Sequence, residues 1–240
     1  MKQIFNKIVQ RTLFRVLDTY VKTRLIPSLS ESLFNNIDFH QRQLALASSA
    51  QYVSDRMEKA RPMKGRYEVL SAAMDRVSVR GLYLEFGVAG GESINFIASR
   101  SPETVHGFDS FRGLPEDWRP GVKSGAFAKP TGWLPEVREN VTLHVGWFEE
   151  SLPGFLSTQV GDVAFLHIDC DLYSSTKTVF SALSDRIKSG TVIVFDEYLS
   201  YIGWENHEHA AFMEFAAGRD FEYLFYNGVG SPAQVAVLMK

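Results

Sequence analysis

The stretch VAFLHIDCDLYSSTKTVFSALSDRIKSGTVIVFDEY, residues 163–198, decides the fold. Val163–Ile168 and Thr191–Phe195 are short, nearly continuous apolar runs, and Ser174–Lys188 between them carries a helical pattern that Gly190 is expected to end. Uninterrupted apolar strands joined by a helix belong to a parallel sheet covered on both faces. Upstream, the same texture marks Leu82–Phe86, Val105–Phe108 and Val141–Val145 as strands. Downstream it breaks: Phe221–Tyr226 and Ala233–Leu238 are joined by the turn-rich Asn227-Gly228-Val229-Gly230-Ser231-Pro232 with no helix between, so they pair antiparallel. The expectation is an α/β, doubly wound, mostly parallel sheet that ends in an antiparallel hairpin.

Residues 1–80 read as an N-terminal helical extension and 81–240 as the main domain. In residues 1–25, Ile4, Ile8, Val9, Leu13, Val16, Leu17, Tyr20 and Val21 fall at helical spacing, opposite Lys2, Lys7, Arg11, Arg15, Lys22 and Arg24. Such a helix packs on a partner subunit, lies on a membrane surface, or simply solvates its basic face. Pro27 and Ser28–Ser30 are expected to end it, and no small-residue cleavage site marks a secretory signal. Residues 39–79 read as further helices, the last at Lys64–Arg76.

Of the 240 residues, 45% are hydrophobic, 22% charged and 13% aromatic, which excludes a disordered chain. No run approaches the length of a membrane-spanning helix. The single cysteine, Cys170, forms no internal disulfide, which fits a reducing, cytoplasmic setting. Residues 1–80 hold 14 Lys and Arg against 7 Asp and Glu, and the remainder 11 against 21. A net acidic body argues against a nucleic-acid partner and suits a site for a divalent cation or a cationic ligand.

In doubly wound sheets ligands bind beyond the carboxyl ends of the strands, so those ends are the places to inspect. After the first strand runs LEFGVAGGES, residues 84–93. Gly87, Gly90 and Gly91 allow a sharp turn before a helix amino end, but Ala89 and Glu92 break the dinucleotide fingerprint, and NAD is disfavoured. Glu85, ahead of the loop, suits a cationic or hydroxyl-bearing ligand. After the second strand, Asp109 lies where an acid accepts ribose hydroxyls or else caps a helix, and ribose binding is the favoured reading; Ser110 and Phe111 follow. Phe108 and Phe111 either line an adenine pocket or pack in the core. After the third strand, Trp147-Phe148-Glu149-Glu150 either stacks on and hydrogen-bonds a base or forms a turn into a helix.

The sharpest constellation follows the last two parallel strands: His167-Ile168-Asp169-Cys170-Asp171 and Phe195-Asp196-Glu197-Tyr198. Carboxylates brought to one rim repel, and a hard cation such as Mg²⁺, Mn²⁺ or Ca²⁺ relieves them. Asp169, Asp196 and Glu197 are the expected ligands, with Asp171 either a fourth or a helix cap. His167 points to the same face as Asp169 and is either a helper base or a buried histidine. His207 and His209 are too close in sequence for one helical face, and substrate contact suits them better than metal binding.

Together LEFGVAGGESI, GFDSFRGLPE, GWFEESLP, HIDCDLYSSTK and VFDEY, over Leu82–Lys240, resemble class I S-adenosylmethionine-dependent methyltransferases of the macrocin O-methyltransferase (TylF) type. The resemblance implies a seven-stranded Rossmann-like methyltransferase sheet with an antiparallel last strand. It implies that Glu85, Phe86, Gly87, Gly90, Gly91 and Ser93 serve the methionine end of S-adenosylmethionine, and Asp109 its ribose. Ser110, Phe148, Glu149 and Asp169 complete the expected cofactor wall. It further implies Mg²⁺ or another divalent cation on Asp169, Asp196 and Glu197, although relatives often carry two aspartates where this chain has Asp196-Glu197.

The expected activity is O-methylation of a sugar or other small natural-product or glycan-precursor hydroxyl, with Asp169, helped by His167, as base. Acceptor choice is expected in Gly113–Pro135 and Tyr198–His209, and a homo-oligomer through residues 1–80, which serve assembly or as a substrate lid. The alternatives are a metal-independent methyltransferase, or a non-catalytic S-adenosylmethionine-binding subunit docking through its N-terminal helix.

Overall fold

The computed structural model describes residues 13–28, 30 and 35–240. Their contacts divide the chain into two units, Met1–Leu44 and Ala45–Lys240. In the first, residues 13–28 are helical, with a π-helical turn at Val21–Leu25 closed by the Ile26 N–H on the Val21 carbonyl. Pro27 therefore does not end this helix. The π turn has already displaced the bonding ladder, and proline, which has no N–H, is tolerated there. Leu13, Val16, Leu17 and Tyr20 of the expected apolar face are exposed; residues 1–12, with Lys2, Lys7 and Arg11, lie outside the described residues.

The second unit is built on one eight-stranded sheet. Helix α1 (Ile37–Arg56), strand β1 (Arg61–Met63) and helix α2 (Arg66–Met74) lead into β2 (Leu82–Phe86), α3 (Glu92–Arg100), β3 (Val105–Asp109) and β4 (Val141–Val145). Then follow α4 (Phe148–Thr158), β5 (Val163–Ile168), α5 (Tyr173–Leu183), β6 (Val192–Leu199), α6 (Glu208–Phe215), β7 (Phe221–Asn227) and β8 (Ala233–Met239). The spatial order is β1-β7-β8-β6-β5-β2-β3-β4, with β8 antiparallel to β6 and β7 and every other pair parallel. The chain winds outward from β2 through β3 to β4, then returns to β5, so the switch point lies between β2 and β5. That is where such sheets open a crevice for ligands.

The sheet corrects the sequence reading at three places. An eighth strand exists because Arg61–Met63, expected to be helical, pairs with Phe225–Asn227 of β7; a proline is tolerated in an edge strand. Strand β6 runs on through Leu199, so Asp196 and Glu197 sit within it and not after it, and its pairing with β8 shifts register between Phe195 and Leu199. Helix α5 stops at Leu183, well before Gly190, because the Arg186 carbonyl turns away to accept the Val163 N–H at the start of β5.

Alternation along the strands fills both faces. Leu84, Phe86, Phe108, Leu166, Ile168, Ile193 and Phe195 pack on one side. Tyr83, Val105, Ala164, Phe165, Val192 and Val194 pack on the other with α2 and α3. Each fully buried Phe or Leu contributes about 1.5–3 kcal/mol. Glu85 and His167 are register partners on β2 and β5, and both are fully buried. Two ionisable side chains in that position need partners.

Candidate active site

Above the ends of β2, β3, β5 and β6 lies a cavity of about 560 Å³, the size of a small-molecule site. Backbone conformation singles it out. Among the described residues five non-glycines have left-handed φ, and four of them, Ala89 (+45°), Phe111 (+54°), Phe127 (+67°) and Asp171 (+64°), line this cavity. Such residues persist only where surrounding structure holds them, and they cluster at functional sites.

The β2–α3 turn shows how they are held. Gly87 (φ +92°) packs so closely that a Cβ there would lie 1.7 Å from the Asp169 carbonyl oxygen, so the loops after β2 and β5 interlock only through glycine. Asp109, at the end of β3, then grips the turn. One carboxylate oxygen accepts the N–H groups of Val88 (2.8 Å) and Ala89 (2.9 Å), and the other that of Phe111 (2.7 Å). Asp109 thus fixes two strained cavity residues while itself facing the cavity. Behind the turn, Ser93 Oγ donates to Glu85 at 2.6 Å.

Of the expected cofactor residues, Gly87, Asp109, Ser110, Phe148, Glu149 and Asp169 line the cavity. Glu85, Phe86, Gly90, Gly91 and Ser93 lie outside its lining: Glu85 and Phe86 are sealed in the sheet, Phe86 stacks on Phe108 at 4.7 Å, and Gly91 caps α3. Phe111 is the ring that reaches the cavity, whereas Phe108 is core. Trp147 caps α4, and its backbone N–H donates to Glu150, so the stretch is a turn into a helix, and Trp147, Phe148 and Glu149 also line the cavity. Glu149 accepts a hydrogen bond from Thr178 Oγ1 at 3.0 Å.

The carboxylates converge as expected. Asp169, Asp171, Asp196 and Glu197 all line the cavity, and oxygens of Asp169, Asp196 and Glu197 lie within 4.8 Å of one another. Burial, then the charge of Asp196, pushes Asp169 and Glu197 well above the usual carboxylate range. Burial raises Asp171 to about 7 against the pull of Arg119. Asp196 goes the other way: burial opposes its charge, but His167 and Arg66 hold it below its ordinary value. Glu197 Oε2 is buried without a hydrogen-bond partner. An orphaned carboxylate oxygen beside two further hard oxygen donors fits Mg²⁺, Mn²⁺ or Ca²⁺.

His167 is not at the cavity surface. It is fully buried, with Nδ1 3.7 Å from Glu85 and Nε2 3.7 Å from Asp196, distances of an ion pair and not of a hydrogen bond. Burial would lower the imidazolium, but Asp196 and Glu85 override it and raise its pKa to about 10. His167 lies buried under the rim between Glu85 and Asp196, whose charges favour its protonated form.

Two residues at the rim have no counterpart in the sequence reading. Arg66, at the start of α2, pairs through Nη2 with Asp169 and through Nε with Asp196 at 2.7 Å. Glu208, the first residue of α6, is fully buried and accepts the N–H groups of Cys170 (3.3 Å), Asp171 (3.2 Å) and Glu197 (3.2 Å). Glu208 lay inside a stretch expected at the cleft, beside His207 and His209; for Arg66 no local signal exists. Of the two expected acceptor loops, Gly113, Leu114, Pro115, Glu116, Phe127 and Lys129 line the cavity, while no residue of 198–209 does.

Residues 84–198 match the family described as "Methyltransferase domain". The 8-demethyl-8-(2,3-dimethoxy-alpha-L-rhamnosyl)-tetracenomycin-C 4'-O-methyltransferase of Streptomyces olivaceus is 30% identical over 148 residues, covering 50% of this chain and 54% of that protein. The demethyldecarbamoylnovobiocin O-methyltransferase of Streptomyces niveus is 30% identical over 113 residues, covering 40% and 42%. The chain thus spans about half the length of the curated relatives it matches. A solved calicheamicin methyltransferase has the same fold, with a TM-score of 0.55 at 22% identity over 93% of this chain and 90% of that one.

Proposed function

We propose, for a chain whose residues 84–198 form a methyltransferase domain in the class I methyltransferase fold, that it is an O-methyltransferase of the macrocin type, acting on a hydroxyl of a sugar or other small natural-product acceptor. The observation that carries the reading is the convergence in one cavity of the Asp109-gripped turn with the Asp169–Asp196–Glu197 cluster. The relatives named for rhamnosylated tetracenomycin and for novobiocin support the acceptor class.

S-adenosylmethionine held there would supply a sulfonium-bound methyl group for transfer to an oxygen nucleophile, with S-adenosylhomocysteine as the leaving group. The turn Gly87–Ala89, with Asp109, Ser110, Phe111, Phe148 and Glu149, offers the wall for that ligand: aromatic faces for a base, carboxylates for hydroxyls and for positive charge. Because both oxygens of Asp109 already hold backbone N–H groups, its first task is to shape the wall, and a ribose would be a further donor to it. Glu85 and Ser93 support the turn from behind.

A divalent cation on Asp169, Asp196 and Glu197 supplies the Lewis acidity that makes a neutral alcohol a competent nucleophile. Asp169, at the cavity surface, would take the hydroxyl proton at a carboxylate oxygen. His167 serves beneath it as the cationic support that keeps Glu85 and Asp196 aligned. Glu116, Phe127 and Lys129 lie on the part of the wall contributed by the β3–β4 connection, where an acceptor would rest. Residues 1–80 are assigned to self-association or to enclosing the acceptor.

Calorimetric titration of S-adenosylhomocysteine, with Mg²⁺ and then with EDTA, tests the cofactor. Micromolar binding is expected, and no binding in either condition overturns the assignment. With glycosylated acceptors, Asp169→Asn should abolish methyl transfer, and full activity after EDTA treatment would refute the cation.

A further inference from the structure

Arg66 occupies two of the three carboxylates assigned to the cation. Its guanidinium reaches two strands: Nη2 donates a hydrogen bond to Asp169 beyond β5, and Nε lies 2.7 Å from Asp196 within β6 as an ion pair without an aligned hydrogen bond. A guanidinium presents several donors in a fixed plane, which suits it to meeting two carboxylates at once. Glu197, the third member, makes no ion pair among the described residues and keeps an oxygen without a hydrogen-bond partner.

A guanidinium and a divalent cation cannot share the same two carboxylates without strong repulsion, since both would lie within a few ångströms in a partly buried site. Arg66 also has somewhere to go. Its side chain is 32% exposed and lines the cavity. It stands at the first turn of α2, after Gly65.

We propose that Arg66 is the built-in competitor of the divalent cation, occupying Asp169 and Asp196 until a cation displaces it into the cavity. The proposal rests on the cation reading above. Arg66 would set the cation affinity of the site and would enter the space beside the acceptor only when the site is loaded.

The test is Mn²⁺ binding, by calorimetry, to the whole chain and to Arg66→Gln, Arg66→Lys and Asp169→Asn, with folding checked by circular dichroism. Arg66→Gln is expected to bind Mn²⁺ at least tenfold more tightly than the native chain, Arg66→Lys to fall between them, and Asp169→Asn to lose binding. Equal or weaker binding by Arg66→Gln, with the native chain still binding, overturns the competition and leaves the cation reading standing. Absence of Mn²⁺ binding in the native chain and in Arg66→Gln alike overturns both. Should Arg66→Gln fail to fold, hydrogen exchange on the native chain decides: Mn²⁺ should speed exchange of the amides of residues 66–69 as the guanidinium lets go. Unchanged or slower exchange there refutes the displacement.

Discussion

Glu208 offers the most direct test of how the rim is built. Its carboxylate is the shared acceptor for three backbone N–H groups, two from the loop after β5 and one from β6. In Glu208→Ala all three donors lose their partner in a place that excludes water. An orphaned buried donor costs about 1–3 kcal/mol, so the variant should lose ~3–6 kcal/mol once partial hydration of the vacated space is allowed. In Glu208→Gln the amide oxygen still serves one pair of donors, but its NH₂ confronts the remaining N–H, a loss of about 1–3 kcal/mol. A repulsive effect runs against this: burial, then the charges of Asp171 and Asp169, raises the Glu208 carboxyl well above its ordinary range. Removing that charge relieves repulsion. The hydrogen bonds are argued to win because three donors converge on a single group. Urea unfolding at neutral pH measures the outcome, and a domain of this size loses about 2–4 °C of Tm per kcal/mol. The order native, Gln, Ala is expected. A Gln variant more stable than the native protein would show that repulsion dominates and would refute the reasoning.

Gly87→Ala should cost upwards of ~4 kcal/mol, because it combines left-handed φ with a Cβ 1.7 Å from the Asp169 oxygen; near-native urea stability would mean that the two loops can part freely. Asp109→Ala should weaken S-adenosylhomocysteine binding by about tenfold or more, since three hydrogen bonds to a charged group shape that wall; Mn²⁺ binding should stay within about twofold, and unaltered S-adenosylhomocysteine binding would remove Asp109 from the cofactor wall. Burial, then the neighbouring His144 at 3.1 Å, lowers His106 to about 4 from 6.5. The folded state therefore prefers the neutral ring. Its stability contribution is complete above pH 6.5 and declines as pH falls from 6.5 toward 4, by about 1–3 kcal/mol in all. Thermal melts across that range should show His106→Gln falling less steeply than the native protein, and parallel curves would refute the assignment.

The parallel strands were legible because each is buried on both faces and so reads as an apolar run, as Val163–Ile168 does. The carboxylate cluster was legible for a related reason: in a doubly wound sheet, residues at strand ends must meet. Strand β1 was not, since three residues including a proline carry no pattern, and only pairing with β7 makes them a strand. Arg66 was hidden because its partners lie more than a hundred positions away and a helix normally shows an arginine to solvent. Glu208 was hidden by burial, which sequence periodicity does not reveal for a lone acid at a helix start. Asp196 and Glu197 were found but misplaced, because a polar pair reads as the end of a strand even where β6 continues through it.

The short strand β1 has a consequence for how copies of this protein tolerate crowding. An open sheet margin is a template on which another chain can add, and that addition starts aggregation from the native state. On one margin the template is only three residues long, and its central position, Pro62, has no N–H to donate. Growth of the sheet is therefore blocked there, and the other margin, β4 with its five residues Val141–Val145, is the side on which an added strand could begin.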